Sequence, residues 1–143
     1  MFPPAGGSAD WHRPLARVGG ADLTADTAQT PGMTRHEAIS ARSVGADALW
    51  MGRTLVAAHA RSAAHHHGRA ETGIYVVSGH PVFVFAEAGV ERRVETSPGD
   101  YVYVPPWVPH REENPGEEEA VVVIARSTQE AIVVNLPGLL TEA

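Results

Sequence analysis

The sequence predicts an all-β fold, an antiparallel jelly-roll β-barrel with a short N-terminal helix, and three observations point there. Short apolar or alternating runs follow one another closely from Leu49 onward. Turn residues separate them, at Ser78-Gly79, Ala88-Gly89, Ser97-Pro98-Gly99-Asp100 and Asn114-Pro115-Gly116. The 143 residues include 14 glycines and 11 prolines but few aromatics, a composition of many turns and few long helices.

Residues 1–33 mix Pro, Gly, Ala and Asp without sustained periodicity, so they are expected to form an arm that is flexible or draped over a partner. Residues 34–143 then form the barrel domain. Thr34-Arg35-His36-Glu37 has the spacing of a capping box, which predicts one short helix starting there and ending near Gly45. Eight strands follow, over Leu49–Ala58, Gly73–Val77, Pro81–Ala86, Val90–Val94, Tyr101–Val104, Val108–Glu112, Ala120–Ala125 and Ile132–Val134, the number of a jelly roll. Glu112, Glu113, Glu117, Glu118 and Glu119 flank the Asn114-Pro115-Gly116 turn and read as a solvated hairpin tip. No whole unit repeats.

Composition removes several kinds of chemistry. With no cysteine, there are no disulfides, thiolate nucleophiles, iron–sulfur clusters or Cys-rich zinc sites. All 11 basic residues are arginine, so no lysine can form a Schiff base. A net charge of −6 argues against nucleic acid and anionic membranes as partners. No run approaches the roughly 20 apolar residues that span a bilayer, and the N-terminus lacks the apolar core of a signal peptide, which makes a cytoplasmic location the expectation.

Histidine and carboxylate carry what chemistry remains. Alternate side chains of a strand share a face, so His65 and His67 can point together into the barrel while His66 points away. Glu71 lies four residues after His67, where a turn can bring its carboxylate beside them. His110 follows Pro105-Pro106-Trp107-Val108-Pro109, whose prolines fix its approach. Three imidazoles and one carboxylate suit a divalent transition metal, whether Fe, Mn, Ni, Cu or Zn. A position left open on such an ion is what catalysis needs.

These residues also carry a resemblance. His65-His66-His67-Gly68-Arg69-Ala70-Glu71, with Gly79 beyond, is similar to the first motif of the cupin superfamily: His-x-His, three or four residues, Glu, about six residues, Gly. Gly99, Pro105, His110 and Asn114 fall at the spacing of the second: Gly, five residues, Pro-x-Gly, two residues, His, three residues, Asn. The resemblance runs from about Leu49 to Val134 and is strongest to small, single-domain, rhamnose-epimerase-like bacterial cupins. It implies a metal held by His65, His67, Glu71 and His110, with Glu71 able to act as general base on leaving the ion. Two positions depart from the pattern. Trp107 stands where the second motif has Gly, which would narrow the mouth, and His59 replaces the opening Gly of the first.

Further pocket candidates are Arg53 and His59, on the strand parity of Leu55 and Ala57, and Tyr75, Tyr103 and Trp107, on or beside the motif strands. The resulting expectation is a metal-dependent enzyme on a small organic molecule, of oxygenase, isomerase, cyclase or lyase type. The alternative is a non-enzymatic small-molecule-binding or sensor cupin with a structural metal. A metal-free sugar epimerase, with His110 as base and Tyr103 as acid, fits less well because the ligand set is complete. Exposed strand edges need cover, so a homodimer is expected.

Overall fold

Strict alternation in three segments builds the wall of the fold. Trp50, Gly52, Thr54 and Val56 are buried while the residues between them are half-buried; Thr72, Ile74 and Val76, and Ala120, Val122 and Ile124, repeat the pattern. The period of two makes each segment a strand with one face turned to the core. In the computed structural model, which describes residues 13–140, the strands are β1 (Met33–Ile39), β2 (Trp50–Val56), β3 (His65–His66), β4 (Thr72–Ser78), β5 (Val82–Glu87), β6 (Val90–Glu95), β7 (Tyr101–Val104), β8 (His110–Glu113), β9 (Ala120–Arg126) and β10 (Val134–Asn135).

They form two five-stranded sheets, in the orders β1-β2-β9-β4-β7 and β10-β3-β8-β5-β6, with antiparallel pairing throughout. Trp50, Ile74, Val76, Val104, Val122 and Ile124 of the first sheet pack with Phe83 of the second, so the core lies between the sheets. On the second sheet, Val82 and Val84 are covered by Leu139 and Ala64. The edge strand β6 is exposed along its whole length and carries Glu91, Arg92, Arg93 and Glu95, charges that discourage edge-to-edge pairing. Among the described residues, no helix is long and apolar enough to cross a membrane.

The all-β jelly roll is as the sequence predicts, but its N-terminal part differs. Thr34 does not cap a helix: Met33–Ile39 pairs with β2, from Met33 opposite Val56 to Ile39 opposite Met51. Glu37, instead of folding back on Thr34, is buried and accepts hydrogen bonds from Trp50 Nε1 (2.9 Å) and Arg42 (2.9 Å). Tertiary pairing outweighs the local capping pattern. The helix is the single turn α1 (Ala41–Val44), capped by Ser40 through a reciprocal bond with Ser43, and it closes at Gly45, the expected end, with φ 71°. Part of the arm proposed over 1–33 lies outside the described residues. Of the rest, Thr24 exchanges backbone hydrogen bonds with Glu37, and Gln29 bonds the backbone of Arg35, so residues 24–30 run along β1. The expected strand Ile132–Val134 forms at Val134–Asn135 instead, against β3.

Candidate metal centre

His65, His67 and His110 come together in space. His65 is opposite His110 in the β3–β8 pair, and their rings lie 4.5 Å apart between centroids, with His67 at 4.8 Å from His65 and 5.1 Å from His110. One ring nitrogen of each lies within 4.8 Å of the others. His65 and His110 are buried, at 7% and 3% exposure.

Each ring is oriented from behind by a backbone carbonyl. His65 Nδ1 donates to Ala63 O (2.7 Å), His67 Nδ1 to Ile132 O (2.8 Å) and His110 Nδ1 to Val108 O (3.0 Å). A carbonyl only accepts, so each Nδ1 carries the proton and each Nε2 is left with its lone pair, the arrangement in which imidazole ligates a metal. His110 Nε2 is buried and has no hydrogen-bond partner among the described residues. An orphaned buried acceptor costs on the order of 1–3 kcal/mol unless something fills the gap, and a cation at the centre would do so. Burial pushes His67 down to about 4, and burial likewise pushes His110 down to about 4. The neighbouring imidazoles add to both shifts, while the carbonyl bonds oppose them. Both rings are therefore neutral and able to bind a metal at physiological pH.

Glu71 does not join them. The turn after His67, in which Gly68 takes a positive φ and Ala70 N–H bonds His67 O, delivers the chain into β4 with Thr72, Ile74 and Val76 inward. Glu71 therefore has the outward parity and is exposed, and its Oε1 accepts from Tyr103 Oη at 2.6 Å. That bond raises the Tyr103 hydroxyl above its ordinary pKa. The inward position next to it belongs to buried Thr72. A carboxylate that spacing did not single out faces the centre instead: Glu112, on the same side of β8 as His110, places Oε1 4.0 Å from His110 Nε2. The parity of β8 was the available signal. The flanking acidic run obscured it, and only Glu117, Glu118 and Glu119 of that run are fully exposed.

Arg53, His59, Tyr75 and Trp107 lie away from the interior. Arg53 shares the outer face of β2 with Met51 and Leu55, because the inward residues of that strand are the even-numbered ones. His59 sits in the turn after β2, paired with Glu117 at 3.0 Å and 59% exposed. Tyr75 points outward against Tyr101. Trp107 is 64% exposed and tilts onto His66. Both residues that replace motif glycines nevertheless keep a glycine-like backbone, with φ 62° at His59 and 67° at Trp107. Tyr103 contributes to the wall of a cavity of about 270 Å³ beside His110, whose other lining includes Phe83, Phe85, Val94, Val102 and Val108. On the side of His67 a smaller, more polar cleft is lined by Thr72, Glu112 and Arg126.

Comparison with known proteins agrees with this architecture. A family model described as Cupin domain matches residues 52–126. No curated protein matches the chain by sequence. Among solved structures, the polyketide cyclase RemF from Streptomyces resistomycificus is similar with a TM-score of 0.72 at 24% identity, covering 85% of this chain and 85% of that one. A mutant of oxalate decarboxylase OxdC from Bacillus subtilis gives 0.65 at 23% identity, covering 76% of this chain and 29% of that one. This chain thus matches less than a third of the decarboxylase. Another structure of that decarboxylase, described by its Mn(II) centres, gives 0.65 at 24% identity with the same coverage. At these identities the likeness is one of fold.

Proposed function

The chain belongs to the cupin domain family, and from that premise we propose that it is a divalent-metal-dependent enzyme acting on a small organic molecule with a largely apolar body. The carrying observation is the trio of imidazoles whose Nδ1 protons are committed to carbonyls, grouped around the unpartnered Nε2 of His110. When bound, the metal supplies Lewis acidity to a substrate oxygen or lowers the pKa of a water.

The chain's own residues do the rest. His65, His67 and His110 would hold the ion with their rings in fixed orientations, because rotation of any ring would break its carbonyl bond. Phe83, Phe85, Val94, Val102 and Val108 give a substrate an apolar wall directly beside His110. Such a wall suits an aromatic or polyketide-like body better than a small dianion, which favours the cyclase type among the reactions open to a metal-dependent cupin. The similarity in fold to a polyketide cyclase along 85% of both chains accords with that choice.

Elemental analysis of the purified protein tests the reading. About one equivalent of a divalent transition metal per chain is expected, with loss of that metal in His65→Ala. Protein that takes up no stoichiometric metal, with His65→Ala indistinguishable from wild type, would rule the proposal out.

A further inference from the structure

We infer that the carboxylate of the metal centre is Glu112, in place of the Glu71 that motif spacing selects. The inference rests on the metal-binding reading above and concerns which acidic side chain completes the site.

Strand parity supplies the first support. His110 and Glu112 are two residues apart on β8 and so share a face. Their cross-strand partners on β5 are Phe85 and Phe83, and Phe83 belongs to the buried core between the sheets. Both side chains are sheltered, at 4% and 13% exposure. The second support is the contact itself. Glu112 Oε1 stands 4.0 Å from His110 Nε2, beyond hydrogen-bonding range. A buried imidazolium–carboxylate pair would close to about 2.7–2.9 Å. Among the described residues, His110 Nε2 is buried without a hydrogen-bond partner. Two acceptors therefore face a shared gap, the arrangement that a cation between them resolves. Ligands at about 2.1 Å from one ion lie roughly 3–4.2 Å from each other, a range that includes the His110–Glu112 separation. The ligand atoms within 4.8 Å of one another are those of His65, His67 and His110, so the carboxylate has to move inward to join all three.

Elimination supplies the third support. Glu71 is exposed, on the outward parity of β4, and engaged by Tyr103. Its inward neighbour Thr72 lines the same cleft as His67 and Glu112 and has no carboxylate to offer.

Zinc affinity, measured by competition with a chromophoric chelator, and the visible absorption of the cobalt(II)-loaded protein together test the assignment. Glu112→Gln is expected to weaken zinc binding by more than about tenfold and to change the cobalt spectrum. Glu71→Gln is expected to match wild type in both. Wild-type behaviour of Glu112→Gln, or an equal loss in Glu71→Gln, would overturn the assignment while leaving the metal site standing. If Glu112→Gln does not fold, Glu112→Asp carries the same comparison: an unchanged affinity and spectrum count against the assignment, and a weakened and altered site supports it. Wild-type protein that binds neither ion overturns the metal reading and this inference with it.

Discussion

Asn114 Nδ2 donates to the carbonyl of Val56 at 3.0 Å, tying the end of β8 to the end of β2. The same amide donates to Ala57 O (3.2 Å) and Glu118 O (2.8 Å), while its Oδ1 accepts from Gly116 N–H (3.1 Å). The asparagine of the second motif is thus a brace between the sheets and has no part in the metal centre. Asn114→Asp replaces a donor facing three carbonyls with an acceptor. A loss of about 3 kcal/mol or more is expected in urea unfolding, against about 2 kcal/mol for Asn114→Ala. Equal midpoints for the two variants would show that the amide protons are not what holds the hairpin.

Acid should destabilise the metal-free protein through its histidines. His67 and His110 are held down to about 4 in the fold, chiefly by burial, whereas the unfolded chain protonates them near about 6.5. Between those values the unfolded state binds more protons, so stability rises with pH. Chelator-treated protein should hold its urea midpoint above about pH 6.5 and lose on the order of a few kcal/mol on descent toward about pH 4. Hydrogen bonds to Glu37 and to Glu113 outweigh the burial that would raise these carboxyls, and both are lowered. Their contributions are present above the ordinary carboxylate range and disappear only below it. A midpoint that stays flat from about pH 7.5 to about pH 5 would contradict buried neutral imidazoles.

Saturation with a divalent transition metal should act in the opposite direction. An ion at about one hundred times its dissociation constant stabilises the native state by about 2.7 kcal/mol, provided that the unfolded chain does not bind it. Thermal unfolding with and without a chelator reads this directly. His65→Ala should erase the difference, and an increment that survives that variant would locate the ion elsewhere.

Much of the fold and the grouping of three of the four candidate ligands, His65, His67 and His110, were legible because they rest on short-range rules. His65, His67 and His110 depend on their own strands and on a proline-stiffened approach, and the strands of the wall declare themselves by alternation. Glu71 was misplaced because one residue decides parity: the turn at Gly68 delivers Thr72, not Glu71, to the interior. Arg53 fails for the same reason, since β2 turns its even-numbered residues inward. The first strand was hidden by a genuine capping pattern, Thr34 to Glu37, whose glutamate has a better use in the tertiary structure, bonding Trp50 and Arg42. Pairing between Met33 and Val56 is a long-range fact that no local pattern encodes.

The backbone at His59 offers a stabilising change. Its φ of 62° is comfortable for glycine and costs other residues on the order of 1 kcal/mol. What the side chain gives in return is an ion pair with Glu117 between groups that are 59% and 87% exposed, a kind of contact with little net value. His59→Gly is therefore expected to raise the melting temperature by a few degrees. A lower melting temperature would mean that the Glu117 pair matters more than the strain. At Trp107 the same exchange is less favourable, because the ring also packs on His66 at 5.6 Å.

Arg126 links the core to the metal centre through the segment that follows β9. Its guanidinium lies over the Trp50 ring, 4.1 Å from the centroid, and donates to Thr128 O (2.9 Å) and Gln129 O (2.7 Å). A few residues later, Ile132 O accepts the Nδ1 proton of His67. The arginine thus fixes the course of the segment that sets the orientation of His67, one of the candidate ligands. Lysine keeps a charge near the ring but cannot hold two carbonyls in a planar fork. Arg126→Lys is expected to cost about 1–2 kcal/mol of stability and to weaken metal binding several-fold while leaving the carbonyl bonds of His65 and His110 in place. Nitrogen-15 spectra of the imidazoles separate this from a general loss of structure: wild-type His67 should be a single Nδ1–H tautomer and the variant a mixture, with His65 and His110 unchanged. If Arg126→Lys loses stability but His67 keeps one tautomer, the segment is held by other contacts and Arg126 serves the core alone.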